Sequence, residues 1–568
     1  MDYNKLAELL FPHIIKTPEE YEKIYPERNL PAGAKVTRLG PSPTGFIHLG
    51  NLYGAFVDER LAHQSGGTFY LRIEDTDDKR YVEGAVDIII DSLRFFGINF
   101  DEGAVKPGGN AAETASACSE YSASVGDYGP YYQSQRGEIY QCFAKELVKK
   151  GQAYPCFLTS EQIDEIRAKQ EAGKENMGIY GKYALSRGLT YEEIEAKINA
   201  GETYVIRLKS DGRTGIPPEE MRHIEIEDGI RGMLSMPENN QDVVILKANG
   251  IPTYHFAHVI DDHFMRTTHV VRGAEWPPSL PVHVELFEKV GFEMPVFCHT
   301  AQLMKIDEET GQKRKLSKRK DPELSLDYYR NEGYHPAAVR EYLLTILNSN
   351  YEEWRAENPL ADIDEFEFTT EKMSNSGALF DLNKLNDVSK DTLVRIPASE
   401  LREFMLGWSR EFKPEIAHFF EDDPEYIEKI LDLGRSGDKP RKDLVYAKQI
   451  FEFISYFFDD YFKIEDAVPE NAAADVKDIL SEYLASYNHA DDQSEWFNKI
   501  RAIAEKLGYA AKPKDYKKNP EMYKGHVGDV STVIRIAVMG RSQSPDVWEI
   551  QQILGEQRTR DRIAKFMA

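Results

Sequence analysis

The sequence predicts an α/β chain built on a doubly wound parallel sheet, interrupted by an α+β insertion and followed by an all-α half. Three observations carry this. A strand-like Lys35-Val36-Thr37, helical spacing of Leu49, Leu52, Tyr53, Phe56, Val57 and Leu61, strand composition in Thr68–Ile73, and a second helical period through Val82, Ala85, Val86, Ile89, Ile90 and Leu93 give the order of parallel crossover units. Between 150 and 245 helical and strand segments mix, as in Tyr204-Val205-Ile206-Arg207-Leu208, and Val243-Val244-Ile245-Leu246 then resumes the alternation. From about 331 to the C-terminus helical periods dominate, in Val339, Tyr342, Leu343 and Ile346, in Ala447, Ile450, Phe451 and Ile454, and in Val547, Ile550 and Leu554.

Composition narrows the function classes. At 568 residues the chain should hold roughly three or four domains of about 150 residues each. A formal charge of -26 argues against a broad, nonspecific polyanion binder, though local basic patches can still align a folded RNA. No apolar run is long enough to span a membrane and no signal peptide precedes Tyr21, so a cytoplasmic protein is expected. The cysteines, Cys118, Cys142, Cys156 and Cys298, form no C-x-x-C pair; reduced thiols are expected, and no structural zinc.

Residues 1 to about 33 read as an extension with a short amphipathic piece (Leu6, Leu9, Leu10, Ile14) that packs against a domain or a partner. The stretch Arg38 to Asn51 follows, with Pro41-Ser42-Pro43-Thr44-Gly45 leading into His48-Leu49-Gly50-Asn51. A tight turn between a strand and a helix start offers unpaired N–H groups to a phosphate, with His48 where it would arrive; a Pro/Gly surface turn is the alternative. Glu74-Asp75-Thr76-Asp77 lies at the end of the next strand, on the same rim. Asp75, Thr76 or Asp77 can simply cap a helix, whereas Glu74 is placed to hold a cationic ligand group.

Gly103 to about Gly129, rich in Gly, Ala and Ser, reads as a mobile surface insertion. The four histidines 255, 258, 263 and 269 do not have the spacing of a zinc helix and read as core or hydrogen-bonding residues; no metal ligands are assigned. Arg272 ends an apolar run, Val270-Val271, as a salt-bridging arginine or as a fork for a carboxylate. Lys313-Arg314-Lys315-Leu316-Ser317-Lys318-Arg319-Lys320 places six cations in eight residues: a solvated loop, a nucleic-acid patch, or a segment that swings over a polyphosphate at the His48 turn. Lys512 to Lys524, interleaved with Tyr516 and Tyr523, fits a single-stranded RNA loop or an exposed linker equally.

Together these stretches resemble the glutamyl branch of the class I aminoacyl-tRNA synthetases. Pro41–Gly45 with His48–Asn51 is similar to the HIGH motif. Arg72-Ile73-Glu74-Asp75-Thr76-Asp77, Pro252-Thr253-Tyr254-His255, Arg272-Gly273-Ala274-Glu275-Trp276 and Lys315-Leu316-Ser317-Lys318-Arg319 are similar to its glutamate-site and KMSKS companions, in the same order across residues 35 to about 330. Weaker similarity continues through Phe380–Leu385 and Met539–Pro545.

The resemblance implies activation of L-glutamate by ATP, accompanied by Mg2+, and transfer to the 3′ end of glutamate tRNA. It implies catalytic roles for His48, Lys315, Ser317 and Lys318, ATP contacts from His48, Gly50, Asn51 and Lys318, and glutamate contacts from Arg38, Ser42, Glu74, Tyr254, His258 and Arg272. Leu39-Gly40 stands where the family more often has phenylalanine-alanine, His258 replaces an asparagine, and Leu158 stands where many bacterial members place a zinc cysteine.

The implied organisation is an extension (1–34), a Rossmann-type catalytic domain in two halves (35–130 and 242–330), an inserted acceptor-end-binding domain (131–241), a stem-contact region (331–390) and a helical anticodon-binding domain (391–568). A monomer is expected. The alternatives are a form that also charges glutamine tRNA with glutamate, a glutaminyl-tRNA synthetase, and an inactive relative that only binds tRNA.

Overall fold

The computed structural model describes every residue except 45–46, 78–81, 107–122, 215, 217–219, 376 and 437–438. Gly45 of the proline-rich turn, most of the Gly/Ala/Ser-rich stretch and Cys118 therefore lie outside the described residues. The chain divides into two compact units, Met1–Tyr328 with Leu343–Asp381, and Tyr329–Tyr342 with Leu382–Ala568.

The first unit is built on two four-stranded sheets. In one, β1 (Val36–Leu39), β2 (Thr68–Leu71) and β3 (Glu102–Val105) run parallel, and β4 (Ala123–Val125) closes the edge antiparallel to β3. In the other the order is β10 (His269–Arg272), β11 (Val296–His299), β7 (His223–Asp228) and β8 (Gly232–Pro237). The two meet edge to edge: the Thr268 amide donates to the Val36 carbonyl at 2.9 Å, and the Thr268 hydroxyl oxygen accepts from the Val36 amide at 2.8 Å. β1 and β10 thus stand side by side where the strand order reverses, the place where open α/β sheets bind ligands.

Helices cross between the parallel strands. Leu49–Gln64 joins β1 to β2 and buries Leu49, Leu52, Tyr53, Phe56, Val57 and Leu61, as their spacing predicts. Gly67 is required at the return, because a Cβ there would lie 1.8 Å from the Lys35 carbonyl oxygen. The second helix is Ala85–Phe95, so Val82 falls outside it in a turn and is 44% exposed. Its apolar character matched the helical period, but Gly84 interrupts at φ +78° and serves as the N-cap.

Two strand assignments differ from expectation. Val243–Leu246 does not resume the central sheet: β9 (Val244–Leu246) pairs antiparallel with β6 (Val205–Leu208), which pairs antiparallel with β5 (Ala153–Cys156). Conversely β7, inside the expected insertion, joins the central sheet through Asp228 opposite Phe297. Short apolar runs carry no mark of the sheet they will join, so spacing alone could not separate these cases. The ends of the Gly/Ala/Ser-rich stretch are likewise ordered, as β3 and β4.

The N-terminal extension packs within this unit. Helices Tyr3–Leu10 and Pro18–Ile24 contribute Leu6, Leu10 and Tyr21 to the core that holds Ile139, Phe143 and Leu147. The buried Lys145 ammonium donates to the carbonyls of Phe11 (3.2 Å) and Ile14 (2.9 Å) and to Glu8 (2.9 Å), fixing the chain after the first helix. A small sheet of β12 (Leu303–Ile306), β13 (Lys313–Lys315) and β14 (Ala378–Leu379) completes the unit.

In the second unit no described residue forms a strand. Helices including Ala398–Phe412, Ala447–Ile454, Val476–Ser486, Gln493–Lys506, Val527–Met539 and Val547–Leu554 enclose a core of Phe420, Ile450, Tyr483, Trp496 and Ile534. Tyr483 is a polar pin inside it, accepting from Trp496 Nε1 at 2.7 Å and donating to Gln551 at 2.9 Å. Within the basic tract, Pro513–Lys518 is helical and Lys524 is engaged with Asp475 at 2.7 Å. None of the described helices is long and apolar enough to cross a membrane.

Candidate active site

A cavity of about 590 Å³ opens at the C-terminal ends of β1 and β10. Arg38, His48, Gly50, Asn51, Glu74, Tyr254, Arg272, Lys315, Ser317 and Lys318 all line it, although they come from five separate stretches of sequence.

On the helix side, His48 is the N-cap of Leu49–Gln64 and its amide donates to Asn51 Oδ1 at 3.1 Å. A Cβ on Gly50 would stand 3.1 Å from the His48 ring, so the ring lies over the first turn, beside the amides that a helix start presents to an anion. Burial, followed by the nearby Lys318 ammonium, holds the His48 imidazole below its ordinary pKa. A neutral imidazole offers one N–H donor and one acceptor nitrogen.

The cationic run has a built-in anchor. Lys313–Lys315 pairs with β12, while Arg314 reaches Asp307 at 2.9 Å and both Asp321 oxygens at 2.6 and 2.7 Å. Asp321 also accepts from the Ser317 amide at 2.8 Å, and Arg314 first of all pushes its carboxyl down to about 2. Arg314 thus ties the loop to Asp307 and Asp321, and Lys315, Leu316, Ser317 and Lys318 are the members of the run that line the cavity.

The opposite wall is a lattice of buried charge. Arg72 Nη1 lies 2.6 Å from Asp262 Oδ1 and Nη2 lies 3.1 Å from Glu74 Oε1. Arg38 donates to the Val271 carbonyl at 3.3 Å and approaches Asp262 at 3.5 Å. Glu74 is raised above the usual carboxylate pKa because burial outweighs the opposing pull of Arg72 and Arg38. Gly40 makes room for it, since a Cβ there would fall 2.5 Å from Glu74 Oε1; this is the structural reading of the Leu39-Gly40 departure.

Arg272 is held differently. Its Nε donates to His299 Nε2 at 2.9 Å, its Nη1 lies 3.2 Å from His283 Nδ1, and its Nη2 is buried without a hydrogen-bond partner. It makes no ion pair among the described residues, and its guanidinium stacks 4.6 Å from the Phe297 ring centroid. Burial lowers its pKa from the ordinary arginine value.

Two expected contacts are not at the cavity wall. Ser42 is exposed and lies outside the lining residues, and His258 is wholly buried behind Arg38, with Nδ1 3.2 Å from Asp262 Oδ2 and 3.4 Å from Arg38 Nη2. On the helix Tyr254–Phe264 the residue four places after Tyr254 points to the charge lattice, while Tyr254 itself lines the cavity with its ring centroid 4.8 Å from that of Trp276, the two planes tilted by 31°. Sequence reasoning also missed His283, His299 and Asp262. For His299 a signal existed: it ends the apolar run Val296-Phe297-Cys298 as Arg272 ends Val270-Val271, and the two are register partners across β10 and β11. Among the described residues no group of three His, Cys, Asp or Glu side chains could hold a metal ion.

Residues 35–387 match the family described as tRNA synthetases class I (E and Q), catalytic domain, and residues 411–567 match an anticodon binding domain. A glutamate–tRNA ligase of Acetivibrio thermocellus is 62% identical over the full length of both chains, and one of Clostridium perfringens is 47% identical, again over 100% of each. A crystal structure of a glutamate tRNA ligase from Elizabethkingia meningosepticum, in complex with its amino acid, is similar at 29% identity with a TM-score of 0.71, covering 94% of this chain and 99% of that one.

Proposed function

The chain belongs to the class I tRNA synthetases of the E and Q type, and on that premise we propose that it is a glutamate–tRNA ligase whose two half-reactions use the cavity at the ends of β1 and β10. The observation that carries the choice of amino acid is Arg272, a buried guanidinium at the cavity wall with no ion pair among the described residues. Glutamate completes that pair. Glutamine would leave the cation buried against a neutral amide, which costs the site its strongest interaction.

ATP enters as its magnesium complex, with Gly50 and Asn51 against the nucleotide. One oxygen of the α-carboxylate attacks the α-phosphorus, the bond to the bridging oxygen breaks, and pyrophosphate leaves. This in-line step needs positioning and charge stabilisation more than covalent help, and His48, Lys315 and Lys318 supply both, with Ser317 steadying the loop. Arg38, Glu74, Tyr254 and Arg272 hold the amino acid, Glu74 taking its ammonium group. A 3′-terminal ribose hydroxyl of the tRNA then attacks the acyl carbon and AMP departs.

In this reading the part of 131–241 that precedes β7, with β9 added to its sheet, receives the acceptor end, 331–390 follows the stem and 391–568 reads the anticodon, in a cytoplasmic monomer. ATP–pyrophosphate exchange with glutamate and glutamate tRNA tests the assignment. Exchange with glutamate at least about a hundredfold more efficient than with glutamine is expected; exchange favouring glutamine, or none with tRNA bound, overturns it. Charging purified glutamine tRNA with glutamate decides whether the form is discriminating.

A further inference from the structure

The arginines of this site are held in two chemically different ways. Arg72 and Arg38 face the carboxylate of Asp262, at 2.6 and 3.5 Å. Arg272 instead meets imidazoles, at Nε and Nη1, and an aromatic face. The hydrogen-bond chain fixes the tautomers. His299 Nδ1 sits 2.5 Å from Asp228 Oδ2 and therefore carries the proton, leaving Nε2 as the acceptor for Arg272. His283 presents Nδ1 to Arg272 and donates from Nε2 to His255 Nδ1 at 3.0 Å.

Asp228 is itself locked, accepting from the amides of Ile230 (3.0 Å) and Arg231 (2.8 Å). Burial opposes its ionisation, but the His299 and backbone hydrogen bonds outweigh that and keep its carboxyl below the usual range. Burial also holds His255, His283 and His299 below the ordinary histidine value, so they stay neutral acceptors.

We propose that His299 and His283 are positioning residues that orient the Arg272 guanidinium through neutral acceptors, so that its charge stays uncompensated until the substrate side chain arrives. The inference rests on glutamate being the substrate. A carboxylate in either position would orient the fork equally well, but would neutralise it and weaken its preference for an anion. Two imidazoles and the Phe297 ring fix direction without cancelling charge. Asp228 acts one bond further out, holding the His299 tautomer.

The test measures KM for glutamate, KM for ATP and the glutamate-to-glutamine ratio of kcat/KM in the full-length protein. His299→Ala and His283→Ala should raise the glutamate KM about tenfold or more, with the ATP KM within about twofold. His299→Gln keeps an acceptor for Arg272 and a donor for Asp228, and should recover most of the loss. His283→Asp is the decisive variant: it keeps an acceptor beside Nη1 but adds a charge. It should raise the glutamate KM more than His283→Asn does and lower the glutamate-to-glutamine ratio at least about tenfold.

Equal effects of His283→Asp and His283→Asn, or equal rises in both KM values, would overturn the proposal. If the alanine variants do not fold, the Asp and Asn pair still decides. A wild-type chain that does not activate glutamate would instead overturn the functional reading on which the proposal stands.

Discussion

Asp262 Oδ1 lies 2.6 Å from Arg72 Nη1, with both side chains wholly excluded from solvent. The same carboxylate stands 3.5 Å from Arg38 Nε and 3.2 Å from His258 Nδ1. One anion therefore sits between two guanidinium groups that would otherwise repel, beside an imidazole that burial holds well below its ordinary pKa. Replacing it with a neutral amide removes the carboxylate that Arg38 faces and leaves Arg72 with Glu74 at 3.1 Å and Asp261 at 4.0 Å, and removal of one partner from a buried pair costs about 3–5 kcal/mol. Asp262→Asn is expected to lower the stability of the first unit by about that amount, read as an earlier denaturant midpoint. A midpoint unchanged from wild type would contradict the arrangement.

His48→Ala and Lys318→Ala should each slow ATP–pyrophosphate exchange about 10²- to 10³-fold, the usual effect of removing one group that stabilises transition-state charge. Binding of glutamate tRNA, measured by filter retention, should change less than about threefold. Parallel losses in exchange and in tRNA binding would show that the residues support the fold or the tRNA surface instead.

Gly40→Ala brings a methyl group against Glu74, whose carboxylate must then rotate away. The expected result is a higher KM for glutamate, by about five- to twentyfold, with folding intact because the displaced atom ends a flexible side chain. Glu74→Gln should behave similarly. A glycine-to-alanine variant with wild-type kinetics would place the ammonium group elsewhere.

Burial lowers the pKa of His255 and of His269 to about 4. Each group is depressed in the folded state, so between about pH 4 and about pH 6.5 the unfolded chain binds protons that the folded chain refuses. Stability should consequently rise with pH across that window and level off above it. His269→Gln should flatten the rise in thermal midpoint; an unaltered slope would remove His269 from the cause.

The parts of the fold written in repeated patterns were legible. The helix Leu49–Gln64 could be read from its spacing, and the parallel units from their order. Strand partnership was not, because Val244–Leu246 and His223–Asp228 are short runs whose sheets are chosen by long-range hydrogen bonds such as Leu208 to Val243 at 2.9 Å and Gly229 to Phe297 at 2.7 Å. At the site the same limit applied. The residues that face the cavity belong to recognisable motifs, whereas Asp262, His283 and His299 act from behind, and their role exists only once the elements are packed. His258 shows the converse, since a motif position suggested a wall contact and one helical turn carried the ring into the charge lattice instead.

The seam between Val36 and Thr268 joins residues 232 positions apart. Until it closes, Arg38 and Arg272 belong to separate sheets, and Arg272 still awaits His299 across β10 and β11. Contacts of such long sequence separation form late and slowly, after the local helices and hairpins. A ribosome-bound chain therefore carries the His48 turn well before Arg272 and Lys318, which share its cavity, have been made. The cavity draws its lining from Arg38 to Leu324, so a chain interrupted before about that point lacks part of the wall that the His48 turn faces.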